Sequence, residues 1–133
     1  MKKITFILVV GLLSFFAESA KAGNYGNGNL GTILTNCTDG EIIILTGDTY
    51  TWSAKISTFT KSATVKADPS LTTRPVVTLP AGVALTHTGT APKTITYDGI
   101  DFNGNTVATG LIAGKCGTGG NLQVTINNCL VRN

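Results

Sequence analysis

Apolar and polar residues alternate along ITYDGIDFNGN, Ile95 to Asn105, and the alternation returns in altered form in VTINNCLVRN, Val124 to Asn133. With one copy laid over the other, Ile95 meets Val124, Tyr97 meets Ile126, Ile100 meets Cys129 and Phe102 meets Val131, every pair apolar. Asp98 and Gly99 fall where Asn127 and Asn128 recur, so each copy predicts two short strands broken by one corner, with one face buried and one wet. A third copy is expected upstream, because SATVKAD sets Val65, Ala67 and Asp68 one further repeat before Ile95, Tyr97 and Asp98. Repetition at such a period, carried on strands, predicts a solenoid whose coils stack one on the next.

The run GEIIILTGDTY, Gly40 to Tyr50, fits the same pattern, with Ile43 and Leu45 inward and Gly47 and Asp48 turning the chain. A strand buried on both faces is the alternative that periodicity leaves open. Trp52 and Ile56 are expected to cover the open end of the first coil, since an uncovered terminal coil exposes core and strand edges. From Thr64 the chain reads as strand and corner in succession, and Val65 to Leu85 is expected to make one coil of about three strands. Val77, Leu79, Val83 and Leu85 are its inward candidates; a slip of one residue would put Val76 inward instead. Pro69, Pro75, Pro80 and Pro92 all fall at or beside corners, where a missing amide donor costs a strand ladder nothing.

The first residues follow a different rule. Lys2 and Lys3, an apolar run from Ile4 to Phe16, and Ala20-Lys21-Ala22 make the three regions of a secretory signal peptide, with cleavage expected after Ala22. Thirteen largely apolar residues fall short of the ~20 that span a bilayer as a helix, so no stable membrane anchor is expected after cleavage. Loss of residues 1–22 removes Lys2, Lys3, Lys21 and Glu18, leaving seven basic against six acidic residues and a net charge of +1. No basic stripe remains to suggest nucleic acid. What remains, residues 23–133, suits one small domain, and its Thr, Val, Ile and Gly content with frequent turn residues favours an all-β chain.

Several stretches resemble chemical motifs and fail on their requirements. GNYGNGNLG contains GxGxxG at Gly26, Gly28 and Gly31, but it lacks the preceding strand and following helix of a dinucleotide site and is expected to be a flexible leader. Asp98, Asp101, Asn103 and Asn105 form the densest polar cluster, yet an EF-hand loop would need glycine at Thr106 and glutamate at Ile112. They are expected to be corner and surface residues, with Asp68, Asp98 and Asn127 stacked at one corner and Asp101 outward. GLIAGKC, Gly110 to Cys116, has one residue too few and no hydroxyl for a phosphate loop, and GKCGTGGN is expected to be a surface loop before a strand at Leu122. His87, the only histidine, shows no triad or ligand partners and is expected at a strand end or in a loop. Of Cys37, Cys116 and Cys129, the last sits at a core position one coil after Ile100. A bridge between Cys37 and Cys116 would leave the core stack undisturbed, but connectivity stays open.

Signal peptide, GEIIILTGDTY, TVKADPSLTTRPVVTL, ITYDGIDFNGN and VTINNCLVRN in succession resemble the opening coils of an exported right-handed parallel β-helix. The resemblance is to the chondroitinase B and alginate lyase group of polysaccharide lyases, within the pectate lyase-like superfamily, and it covers roughly residues 38–133. It implies an all-β chain with a signal peptide at 1–22, a flexible Gly/Asn-rich leader at 23–37 and a partial β-helix of about three to four incomplete coils at 38–133. It further implies a secreted, periplasmic or cell-surface protein, an acidic polysaccharide partner, and calcium by family likeness alone. The group's catalytic basic pair and calcium-binding acids match no position here, so no catalytic, cofactor-binding or metal-binding residue is assigned. The same coil grammar serves lyases, hydrolases, adhesins and fibres. A non-catalytic structural or adhesive solenoid is therefore the alternative, as is a truncated reading frame, because Asn133 falls within a coil. Open coil edges would favour self-association.

Overall fold

The computed structural model describes residues 20–52, 60–79, 85–89, 92–104, 112–116 and 122–132, with backbone alone for 85–89 and 112–116. Apolar alternation produces strands, and among the described residues every strand pair is parallel. One sheet contains β1 (Ala22–Tyr25), β3 (Glu41–Leu45), β5 (Ala63–Ala67), β8 (Lys93–Asp98) and β11 (Leu122–Asn127), in that order. A second contains β2 (Gly28–Asn29), β4 (Thr49–Thr51), β6 (Val76–Thr78), β9 (Asp101–Asn103) and β12 (Leu130–Arg132). A third pairs β7 (Leu85–Gly89) with β10 (Ile112–Cys116). The first two sheets take one strand from each of five passes of the chain and the third, among the described residues, one strand from each of two, which makes the molecule a parallel β-solenoid.

The core is built from ladders of like-placed residues. Ile43, Val65, Tyr97 and Ile126 stack in the first sheet, and Tyr50, Val77, Phe102 and Val131 in the second. All but the last-coil members are buried, as are Leu45, Leu79, Ile95 and Ile100. Each such side chain taken out of water contributes about 1.5–3 kcal/mol. Tyr97 and Phe102, on either side of one corner, meet edge to face with ring centroids 5.2 Å apart. The expected inward parity is thus found at every described position, and Val76 lies on the outer face. Val83 lies outside the described residues, as does the side chain of Leu85.

The register departs from expectation at one step. Pairs between β8 and β11 keep the expected offset, but Val65 stacks on Tyr97 and not on Ile95, whose partner is Ala63. In the second sheet Val77 meets Phe102, a shorter step along the chain than the one from Val65 to Tyr97. The corner between β5 and β6 holds eight residues, 68–75, where β8 and β9 are joined by two. An insertion at one corner lengthens one coil without moving its ladders, so a fixed period misplaces the stack by two residues while preserving which side chains face inward.

Residues 23–37 are ordered, in contrast to the expected flexible leader. Ala22–Tyr25 pairs with Ile42–Leu45, Gly28 and Asn29 pair with Tyr50 and Thr51, and Leu30–Asn36 forms the helix α1. Asn29 caps α1, its side-chain oxygen accepting from Thr32 N at 3.2 Å. Leu30 and Leu34, one turn apart, are buried with Trp52 and close the core at this end. Trp52 is itself buried beneath α1, so the helix provides the cover expected of it, while Ile56 lies outside the described residues. The glycines serve close approach: a Cβ on Gly47 would stand 2.0 Å from the Asn27 side-chain oxygen and 2.6 Å from its backbone nitrogen.

Corners are fixed by backbone conformation. Gly99 and Asn128, equivalent in the two copies of the repeat, both take positive φ, 72° and 49°. Asparagine tolerates this left-handed conformation better than other residues with a side chain. Asn128 also donates to Asp98 Oδ1 at 3.0 Å, so this corner is bridged by Asn128. Asp98 stacks between Lys66 and Asn127, and Asp68 lies two residues beyond Lys66, outside that stack.

Candidate functional site

Outward positions of the second sheet form a ladder of their own: Thr49, Val76, Asp101 and Leu130, one per coil. At ~4.8 Å between neighbouring strands this floor runs about 14 Å along the solenoid axis. The eight-residue corner after β5 rises beside it as a wall, with Asp68, Pro69, Leu71, Thr72, Thr73 and Arg74 lining a groove of about 780 Å³. Asp48 and Gly99 complete the rim at the corners of neighbouring coils.

The wall has its own local order. Asp68 Oδ1 accepts from Ser70 N at 2.8 Å and Asp68 O accepts from Leu71 N at 3.1 Å, a turn that asparagine and aspartate favour. Hydrogen bonds from the Ser70 side chain and backbone hold the Asp68 carboxyl below the usual aspartate range. Asp68 N donates to Leu45 O, which ties the foot of the wall to the preceding coil.

Asp101 faces outward, as its parity predicts, yet it is only 8 % exposed. Two features cover it: the groove wall, and Arg132, whose Nε donates to Asp101 Oδ1 at 2.9 Å from the next coil. Its expected freedom as an open surface residue is corrected by that cover. The polar cluster read from the sequence is split by the corner: Asp98 bridges to Asn128, Asp101 enters the groove floor, Asn103 continues β9, and Asn105 lies outside the described residues. Groove-lining carboxylates number three, Asp48, Asp68 and Asp101, against the single guanidinium of Arg74.

The other sequence candidates fall elsewhere. His87 sits at the centre of β7 opposite Gly114, not at a strand end, because parallel pairing with β10 extends the strand on both sides of it. Lys115 and Cys116 belong to β10 and not to a loop, for the same reason, and Leu122 opens β11 as expected. Cys37 is a free thiol, not bridged to Cys116: it is buried after α1 with its Sγ donating to Leu34 O at 3.1 Å. Burial pushes that thiol up from its ordinary pKa. Cys129 is also free and packs half-buried against the core. Among the described residues no group of three or more His, Cys, Asp or Glu is placed to hold a metal ion, and no helix is long and apolar enough to cross a membrane.

Reasoning from the sequence missed the groove itself. Its signal was present as corner length: eight residues between β5 and β6, against three between β3 and β4 and two at the other described corners of this edge. A long corner on a regular solenoid has to stand out from the coil, and it makes a concave surface with the sheet beside it. No protein family, curated protein or solved structure matches the chain.

Proposed function

We propose that this chain is the glycan-binding part of an exported right-handed parallel β-helix, holding an extended polysaccharide in the groove over β4, β6, β9 and β12. The carrying observation is the outward ladder Thr49, Val76, Asp101 and Leu130, walled by residues 68–74. Its repeat along the axis is close to the length of one sugar unit in an extended chain, so a repeating ligand meets a repeating floor. Carboxylates, threonine hydroxyls and the Arg74 guanidinium supply both acceptors and donors for sugar hydroxyls, and Pro69, Leu71 and Val76 supply apolar surface for ring faces. Right-handed winding is supported by the near-universal hand of crossovers between parallel strands.

The lining bears on the kind of glycan. Asp101 is paired with Arg132, which leaves Asp48 and Asp68 against Arg74; this slightly negative lining favours a neutral or sparsely charged chain, so the acidic polysaccharide implied by family resemblance draws its support from that resemblance alone. The reading assigns binding, not turnover, to these residues: lyase chemistry needs a positioned base, an acid and charge neutralisation, and of the two guanidinium groups here Arg132 is already paired with Asp101. Affinity electrophoresis of secreted protein through gels containing neutral glucan, xylan, alginate or chondroitin sulfate tests it. Retardation by a neutral polysaccharide, lost in Arg74→Ala and Asp68→Asn, is expected, with no ultraviolet-absorbing unsaturated product from any of the four. Unretarded migration in every gel would overturn the binding role.

A second reading, a structural or adhesive solenoid, is favoured by one observation. Ile126, Leu130 and Val131 are 44, 45 and 48 % exposed in the last coil, where Ile126 and Val131 continue the buried ladders. Sedimentation showing concentration-dependent assembly, abolished by Val131→Lys, would select it.

A further inference from the structure

Glu41 opens β3 at an inward position and is 3 % exposed. Its Oε1 accepts from the Tyr25 hydroxyl at 2.6 Å, and its Oε2 accepts from the Thr38 backbone nitrogen at 2.7 Å and the Thr38 hydroxyl at 3.0 Å. All three donors are neutral. Among the described residues the ion pairs are Lys93–Asp39 and Arg132–Asp101, and neither involves Glu41. These hydrogen bonds keep the carboxyl ionised despite its burial, so among the described residues it stands as a buried anion with no cation in contact.

The space over Oε1 exists because residue 23 is glycine. A Cβ at Gly23 would stand 2.7 Å from Oε1 and 2.8 Å from the Tyr25 ring. The Gly23 nitrogen is bonded to the same Cα, roughly 2.5 Å from that Cβ position by covalent geometry. Position 23 is also where the processed chain is expected to begin. Hydrolysis of the Ala22–Gly23 amide by a signal peptidase consumes one water and leaves a carboxylate on Ala22 and an ammonium on Gly23. We propose that this new ammonium docks on Glu41, so that the buried carboxylate is a receptor for the chain's own processed terminus. The proposal rests on the export reading.

The groups around Glu41 agree with this assignment. From β1 comes Tyr25, and before it Lys21, which acts on Glu41 only at a distance and leaves with the signal. From the α1–β3 connection come Cys37 and Asp39, the latter paired with Lys93. Lys61, ahead of β5, donates to the carbonyls of Thr35 and Cys37. Lys61, Lys93 and Arg132 are thus committed elsewhere. Processing removes the weak positive field of Lys21 and replaces it with a charge one bond from the Cα that faces Oε1.

The test uses the full chain secreted with its own leader. Intact mass identifies the terminus, and an NMR titration of the labelled Gly23 α-amine gives its pKa. The expected result is a Gly23 terminus whose α-amine titrates at least about one pH unit above the ordinary range of about 7.7–8.0, returning to that range in Glu41→Gln. The wild-type titration decides the matter even where the variant does not fold. A Gly23 terminus with an ordinary α-amine overturns the docking and leaves the export reading standing. A different terminus, or a retained leader, overturns both.

Discussion

Arg132 Nε stands 2.9 Å from Asp101 Oδ1, reaching from the last described coil to the floor of the groove one coil earlier. The Arg132 side chain is 50 % exposed and that of Asp101 12 %, so the pair is wet on one side and dry on the other. Solvent screening on the arginine side keeps its coupling to about 0.2–1 kcal/mol, which a double-mutant cycle with Asp101→Asn and Arg132→Gln should return by urea denaturation. Asp101→Ala should cost more than the roughly half a kcal/mol typical of open surface sites, because it also empties the groove floor. Zero coupling would mean that Arg132 does not cover Asp101.

Phe102 is fully buried between Val77 and Val131 and packs edge to face on Tyr97. Phe102→Ala should destabilise by about 3–5 kcal/mol, a large part of a small domain's stability. Chemical denaturation should show a lowered midpoint with the slope retained. A loss below about 1 kcal/mol would place the ladder elsewhere.

Gly99 and Asn128 hold one corner in successive coils with positive φ. Asn128→Gly should be nearly neutral and Asn128→Ala should cost about 1–2 kcal/mol. Gly99→Ala should cost at least as much, since its Cβ would also stand 3.3 Å from the Ala67 Cβ. Equal melting temperatures for the two Asn128 variants would contradict the left-handed corner.

The Tyr25–Glu41 contact should shape both ends of the pH profile. Burial raises the Glu41 pKa, but hydrogen bonds from Tyr25 and Thr38 outweigh it and hold the carboxyl below its ordinary value. A depressed carboxyl stabilises the fold above the unfolded glutamate range of about 4.3, and that contribution is lost as pH falls through the lower folded value. Tyr25 is shifted the other way: its hydrogen bond to Glu41, then burial, push it from 10.0 up to about 12. Its contribution is whole below pH 10 and disappears as pH rises towards 12. Melting temperatures of wild type and Tyr25→Phe should therefore converge in strong alkali, and those of wild type and Glu41→Gln should converge in acid.

How much of this was legible follows from how each feature is encoded. Inward parity was written in the residues themselves, because alternation is a local consequence of strand geometry: Ile43, Leu45, Val65, Val77, Leu79, Ile95, Tyr97, Ile100 and Phe102 are all buried. The repeat between β8 and β11 was legible too, since equal corner lengths keep one spacing in both sheets. So was the corner itself, where Asn128 recurs on Gly99.

What the tertiary structure alone decided depends on residues distant in the chain. The ladder partner of Val65 is set by how many residues the intervening coil spends at its corners, a sum that no local pattern reports. Residues 23–37 are ordered because β3 and β4 offer them open edges to pair with and Trp52 a surface to cover, whereas their own glycines and asparagines carry little preference for structure. Asp101 became buried through a wall from the coil before it and an arginine from the coil after it. Chain alternation tells a side chain which way to face; what it meets there is determined only when the coils stack.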